Sequence, residues 1–388
     1  MKRAERIKDL GSGVFSEMEK RKREVEARGV KVINLGVGSP DLPPAPHIVE
    51  ALKRAVGNPA NYTYALAGSL RLHEAVTGWY KDRFKVDLNP YAEVLVLMGS
   101  QDGLAHLAMA YIDPGDLALV PDPGYPIYGC SILLAQGVIY PMPLLAENDF
   151  LPDLTAIPDE VAHKAKLMWL NYPNNPVAAS ASRDFFEQVV DFAGKYEILV
   201  CHDIAYAELA YDGFRPVSFL EAAGAKEAGI EFYSLSKTYN MAGCRIGFAV
   251  GNREVLASLA LIKSNIDYGV FSAIQEAGVA ALTGPQEYVA ETARTYQRRR
   301  DVLVEGLADL GWAMPKPMAS MFVWAPLPPG YTSSVSFAAE MLEKAGVIMV
   351  PGVAFGNRGE GYVRIALVQD ESVLLEAMRR IEQNFCFR

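Results

Sequence analysis

The chain has 388 residues, long enough for a sizeable buried core and suited to two domains or to one large α/β domain with an appendage. Its 37 Lys and Arg against 46 Asp and Glu give a formal charge of −9, so no positive field favours nucleic acid or an anionic membrane, and a small-molecule partner is expected. Cys130, Cys201, Cys244 and Cys386 are far apart with no C-x-x-C pair, which argues against a disulfide framework or a metal centre and fits reduced thiols in a cytoplasm.

Taken from the N-terminus, "MKRAERIKDLGSG" is basic but no apolar stretch follows it, so it is not a secretory signal. The segment through about residue 45 has no core of its own and is expected to pack on a smaller C-terminal unit. Residues 46–285 then show short apolar runs: "EVLVLMG" (93–99), "LALVPDP" (117–123), "KLMWLNYP" (166–173), "EILVCHD" (197–203), "EFYSLSK" (231–237) and "RIGFAVG" (245–251). None alternates cleanly with polar residues, which predicts strands covered on both faces. Stretches of helical spacing, "DGLAHLAMAYI" and "SRDFFEQVVDFAGKY", separate them. The alternation predicts an α/β fold with a mostly parallel sheet sandwiched by helices. The most apolar window, "SILLAQGVIYPMPLLA", is broken by Gln136, Gly137, Pro141 and Pro143; it cannot span a bilayer and is not among the predicted strands.

Residues 286–388 form the smaller α+β unit. It opens with one long charged helix, "EYVAETARTYQRRRDVLVEGLADLG", whose Arg298, Arg299 and Arg300 are read as a solvated face because Glu287, Glu291 and Asp301 surround them. "MFVWAPL", "VIMVPG" and "YVRIALV" follow as strands, with "VSFAAEMLEKAG" and "ESVLLEAMRRIEQNF" as helices.

In open parallel sheets, ligands bind beyond the carboxyl ends of the strands. The residues just after the apolar runs are Gly99, Ser100 and Gln101; Asp122 and Tyr125; Asn171 and Asn175; Asp203 and Tyr206; Ser234, Ser236 and Lys237; and Arg245. Ser100 and Gln101 stand where a strand hands over to a helix, a place for an anion or for a plain N-cap by Ser100 or Asp102. Ser234, Ser236 and Arg245 would add hydroxyls and a guanidinium to the same anion. Asp203 closes an apolar strand, where a lone carboxylate needs a cation or a helix to cap. Lys237 is either a surface lysine in a turn or a desolvated, nucleophilic amine. No Walker sequence and no G-x-G-x-x-G after a strand occurs. A phosphate cup, an acid for a protonated ring nitrogen, an aromatic to stack and an amine for an aldehyde are four parts of one ligand, pyridoxal 5′-phosphate.

"SLSKTYNMAGCRIG" resembles the S-x-S-K-x-x-x-x-x-G-x-R-x-G pattern of the class I/II aminotransferases, and "PDPGYPIY", "NYPNNP", "HDIAY" and "YVRIALV" resemble further blocks of that family in its order. Within the family, "LNYPNNP", "SLSKTYNMAG", "GAKEAGIEF" and "KSNIDYGVF" are most similar to the LL-diaminopimelate branch. The resemblance implies a fold-type I, pyridoxal-phosphate-dependent transfer of an amino group from an L-amino acid to a 2-oxo acid such as 2-oxoglutarate. Alanine, aspartate or methionine as donor, or carbon–sulfur elimination, are the alternatives on the same scaffold. It implies Lys237 as the Schiff-base lysine and proton shuttle, Asp203 on the ring nitrogen, and Tyr206 with Asn175 on the phenolic oxygen. Tyr125 would stack on the ring, while Ser100, Gln101, Ser234, Ser236 and Arg245 hold the phosphate. Arg364 would grip the α-carboxylate, assisted by Asn175 and the backbone of Gly38. A homodimer is implied as well, with a tyrosine reaching the neighbouring subunit's phosphate. The family's place for it is Thr63 here, so Tyr64 or Tyr62 would substitute. A second departure, Val177-Ala178 in place of Thr-Gly, concerns the local turn.

Overall fold

In the computed structural model, which describes residues 3–7, 10 and 13–387, seven strands form the main sheet. Across it they run Val94–Leu97, Gly247–Gly251, Gly229–Ser234, Leu199–Asp203, Ala165–Asn171, Leu117–Asp122 and Val138–Pro143. Only Gly247–Gly251 runs against its neighbours. Both faces are buried, which is why the runs lack polar alternation. In Ala165–Asn171, Leu167 and Trp169 enter a core with Leu104, Phe232 and Leu256, while Met168 and Leu170 enter the opposite one with Trp79, Phe186 and Phe248.

The strand absent from the sequence expectation is Val138–Pro143, at the sheet edge. Pro141 and Pro143 have no N–H to give a ladder, and an edge is the position that tolerates this.

A second core gathers residues from both chain ends. Met18, Val25 and Leu35 pack with Leu303, Phe322, Phe337, Val347, Val363 and Leu374. Ile33–Asn34 pairs in parallel with Val347–Ile348, and Val350–Pro351, Tyr362–Ala366 and Phe322–Pro326 form an antiparallel sheet. The predicted single strand "VIMVPG" is therefore two short ones, which leave Met349 between two different sheets.

The helix Glu287–Asp309 corrects the reading of its arginines. Arg298 is exposed beside Glu371, as expected, but Arg299 and Arg300 are 3% and 1% exposed. They share the inward stripe of Tyr296, Leu303, Val304 and Leu307. Arg299 grips both oxygens of Asp41 at 2.7 and 2.6 Å; Arg300 bonds Asp212 and Asp301, each at 2.7 Å. Helical spacing, rather than nearby charge in sequence, decided the face.

Candidate active site

Because most strands are parallel, Asn171, Asp203 and Ser234 end at one sheet edge, where a cavity of about 640 Å³ opens. Gly38, Ser100, Gln101, Tyr125, Asn175, Asp203, Tyr206, Ser234, Ser236, Lys237, Arg245 and Arg364 all line it.

Lys237 stands in a single helical turn, Leu235–Thr238, that starts immediately after a strand. Ser234 caps the turn, its hydroxyl oxygen accepting from the Ser236 N–H at 3.2 Å. The Lys237 ammonium donates to the Gly38 carbonyl at 2.8 Å. Burial, reinforced by the positive charges of Arg364 and Arg245, brings its pKa down to about 8. It is thus neither a surface lysine nor half of an ion pair among the described residues.

Asp203 accepts from the Tyr128 hydroxyl at 2.9 Å and from the Ala205 N–H at 3.2 Å. Burial is the largest influence on it and raises its pKa to about 6 in spite of those bonds. Residues 205–208 form a turn and not a helix, so the bond to Ala205 caps no helix, and the carboxylate stands in no direct ion pair among the described residues. Asn171 ties this strand end to the next loop: its amide donates to the Asp203 carbonyl at 2.7 Å, and its carbonyl accepts from the Asn175 N–H at 2.7 Å. The Val177-Ala178 departure is absorbed locally, since Ala178 takes the left-handed φ of 57° itself and donates to the Asn174 carbonyl at 3.2 Å. A strained non-glycine residue of this kind costs roughly 1 kcal/mol.

Arg364 comes from the other core. Its guanidinium donates to Asn175 Oδ1 at 2.8 Å and to the Gly36 carbonyl at 2.6 Å, with Nε buried and without a partner. The rings of Phe322 and Phe355 flank it at 4.2 and 4.6 Å. Every one of these partners is neutral, and burial lowers its pKa to about 10.

The floor of the cavity near Ser100 is shaped by two glycines. Gly99 has φ +76°, and a Cβ there would lie 2.7 Å from an Arg245 nitrogen. A Cβ on Gly247 would lie 2.8 Å from the Ser100 nitrogen. Arg245 therefore rests directly on the turn that presents the Ser100 and Gln101 backbone. The Gln101 side-chain oxygen accepts from the Tyr125 hydroxyl at 2.9 Å, joining two of the expected cofactor contacts. Asp122, although at a strand end, turns away and accepts from the Arg358 N–H at 3.1 Å. Tyr64 is 85% exposed and lies edge-on to Tyr268, outside its own chain's cavity. Tyr62 and Thr63 are exposed too.

Sequence reasoning missed Tyr128, Gly36, Phe322 and Phe355 as parts of the site. Tyr128 had a usable signal, because a residue three positions after Tyr125 at the start of a helix shares its face. The aromatic pair around Arg364 had none, since it joins strand and turn residues distant in sequence.

The donor set fits pyridoxal phosphate on observations of its own. A buried carboxylate, a half-buried amine and a buried guanidinium, none of them in a direct ion pair among the described residues, surround one cavity with a glycine-lined turn under an arginine. Leaving such charges unpaired is costly unless a ligand of complementary charges completes them.

Comparison with known proteins points the same way. The profile described as aminotransferase class I and II matches residues 30–381. A protein of Moorella thermoacetica named LL-diaminopimelate aminotransferase is 53% identical over 99% of this chain and 98% of its own length. One of the same name from Syntrophobacter fumaroxidans is 52% identical over 98% of each. Among solved structures, substrate-bound BacF from Bacillus subtilis superposes with a TM-score of 0.95 at 40% identity, covering 100% of this chain and 99% of that one.

Proposed function

The chain belongs to the class I and II aminotransferases, enzymes that work with pyridoxal 5′-phosphate, and from that premise we propose that its amino donor is LL-diaminopimelate and its acceptor 2-oxoglutarate. One observation carries the choice of donor: relatives 53% and 52% identical over almost their whole length bear that name. A cytoplasmic homodimer is the proposed setting, the cytoplasm in keeping with four cysteines that are far apart in sequence and form no C-x-x-C pair.

When bound, the cofactor supplies an aldehyde that takes up the substrate amine and a ring that accepts the electrons released at the α-carbon. The chain's residues divide the remaining tasks. Lys237 Nζ, its pKa lowered to about 8, would take up and return the proton released at the substrate α-carbon. Asp203, anionic above a pKa of about 6 and in no direct ion pair among the described residues, would hold the proton on the ring nitrogen. Tyr206 and Asn175 bond the phenolic oxygen, and Tyr125 covers the ring. Ser100, Gln101, Ser234, Ser236 and Arg245 take the phosphate, with two charge-assisted bonds available from the guanidinium. Arg364 grips the α-carboxylate; supporting this role are its unpartnered Nε and the two rings that hold its plane.

The test is a donor panel with 2-oxoglutarate, following glutamate formation. LL-diaminopimelate should give a kcat/KM at least about tenfold above alanine, aspartate and methionine, the discrimination expected where distal polar groups find partners. Equal or better turnover of one of the three rejects the donor. Pyruvate and ammonia from cystathionine would instead support the elimination chemistry.

A further inference from the structure

Next to the Gly99–Gln101 turn lies a half-buried charge cluster that the amino-transfer chemistry does not use. Asp102, His106 and Asp267 each bring one ligand atom within 4.8 Å of the others, the arrangement of a cation site. The cation is part of the chain. Lys263, 2% exposed, places its ammonium on the Asp102 carboxylate and 2.9 and 3.1 Å from the two oxygens of Asp267. His106 Nδ1 lies 2.8 Å from the other Asp102 oxygen.

Asp102 has a structural task that an apolar residue could not perform. Its Oδ2 accepts from the Met98 N–H at 2.8 Å, bracing the strand end against the turn where Gly99 takes φ +76° and Arg245 rests. That task sets a carboxylate two residues from Ser100, beside the place proposed for a phosphate. A phosphate ester carries about −1.5 to −2 charge at pH 7, so an uncompensated Asp102 would repel it. Lys263 meets that carboxylate without lining the cavity.

We propose that Lys263 is a positioning residue for the cofactor phosphate: its ammonium, shared between Asp102 and Asp267, offsets the negative charge beside the Gly99–Gln101 turn, so that Asp102 can shape that turn with less repulsion of the dianion. The inference rests on the pyridoxal phosphate reading of the cavity. It predicts an effect confined to the phosphate, although Lys263 touches no part of the site.

Apoenzyme titrated with pyridoxal 5′-phosphate and with pyridoxal separates the two ideas. If the unmodified protein does not bind the phosphorylated form more tightly, the phosphate reading itself fails. Given that preference, Lys263→Met should weaken pyridoxal phosphate binding about tenfold or more and pyridoxal binding less than about twofold, because only the phosphate meets the exposed charge. Adding Asp102→Asn to Lys263→Met should restore binding to within about threefold, since the amide oxygen still accepts from Met98 without a charge. Equal losses for both ligands in Lys263→Met, or no recovery in the double variant, overturn the proposal. Should Lys263→Met not fold, Lys263→Gln takes its place: a loss for pyridoxal phosphate that pyridoxal does not share supports the proposal, and equal losses overturn it.

Discussion

Asp203 and Lys237 are groups that folding alone leaves worse off. Burial raises Asp203 from the ordinary carboxylate value of 3.8 to about 6, and lowers Lys237 from 10.5 to about 8. For the raised acid, the stabilising contribution is complete below pH 3.8 and is lost as pH rises through about 6. For the depressed lysine it is complete above pH 10.5 and is lost as pH falls through about 8. At pH 7 both are largely charged, Asp203 buried and Lys237 half-buried, each at a cost of about 3 kcal/mol. Asp203→Asn should therefore stabilise the apoenzyme at pH 7.5, raising its Tm by about 3 °C in calorimetry. The gain should shrink at pH 5, where the wild-type carboxyl already holds its proton. The same variant should lose amino transfer by about a hundredfold or more, for want of an anion at the ring nitrogen. A lower Tm at pH 7.5 would show that the carboxylate is not strained in the fold.

At the level of elements, the segment from Asn34 to Asp41 carries two carbonyls of the site and is fastened at its far end by Arg299. Gly36 accepts from Arg364 and Gly38 from Lys237, while Asp41 forms the bidentate pair with Arg299. Arg299→Leu should cost about 2 to 3 kcal/mol in denaturant unfolding, below the full loss for a buried pair because Asp41 remains partly open to water. It should also raise KM more than it lowers kcat, as the loosened segment misplaces Arg364. Arg298→Leu, on the exposed face, should change stability by less than about 0.5 kcal/mol. The contrast between these neighbours marks the limit of what the sequence could say. Continuous apolar runs and the helical stretches between them identified six strands of the main sheet, because covered parallel strands need no polar face. The seventh was hidden by Pro141 and Pro143. Asp203, Lys237 and Arg245 were legible because strand ends and a family pattern coincide there. Arg299 was not, since its inward orientation depends on where the Leu303 stripe packs, a tertiary fact. For Tyr128 the sequence offered a helical face shared with Tyr125, but not its partner, since Asp203 lies 75 positions away and meets it only where the helix packs on the sheet.

For the whole molecule, the cavity is closed by two cores, yet an apolar surface outside it stays open. Tyr64 stands edge-on to Tyr268 and Tyr62 leans on Phe271, so the stretches 62–67 and 266–271 form one surface; within it Leu66 is 67% exposed. Single exposed apolar residues are ordinary, whereas a contiguous group is the mark of an interface. The proposed homodimer gives the surface its occupant, a second copy, and gives Tyr64 a reason to point away from its own cavity. An aspartate at the centre of such an interface would be buried without a partner, at a cost of several kcal/mol per subunit. Leu66→Asp should therefore shift the protein in analytical ultracentrifugation from twice 42.4 kDa to 42.4 kDa, with little change in the monomer's unfolding curve. Affinity for pyridoxal phosphate should fall in the same variant, because the neighbouring tyrosine leaves with the partner. If Leu66→Asp stays dimeric and binds cofactor normally, these stretches do not form the interface. A monomer with unchanged cofactor affinity would place the whole phosphate site within one chain.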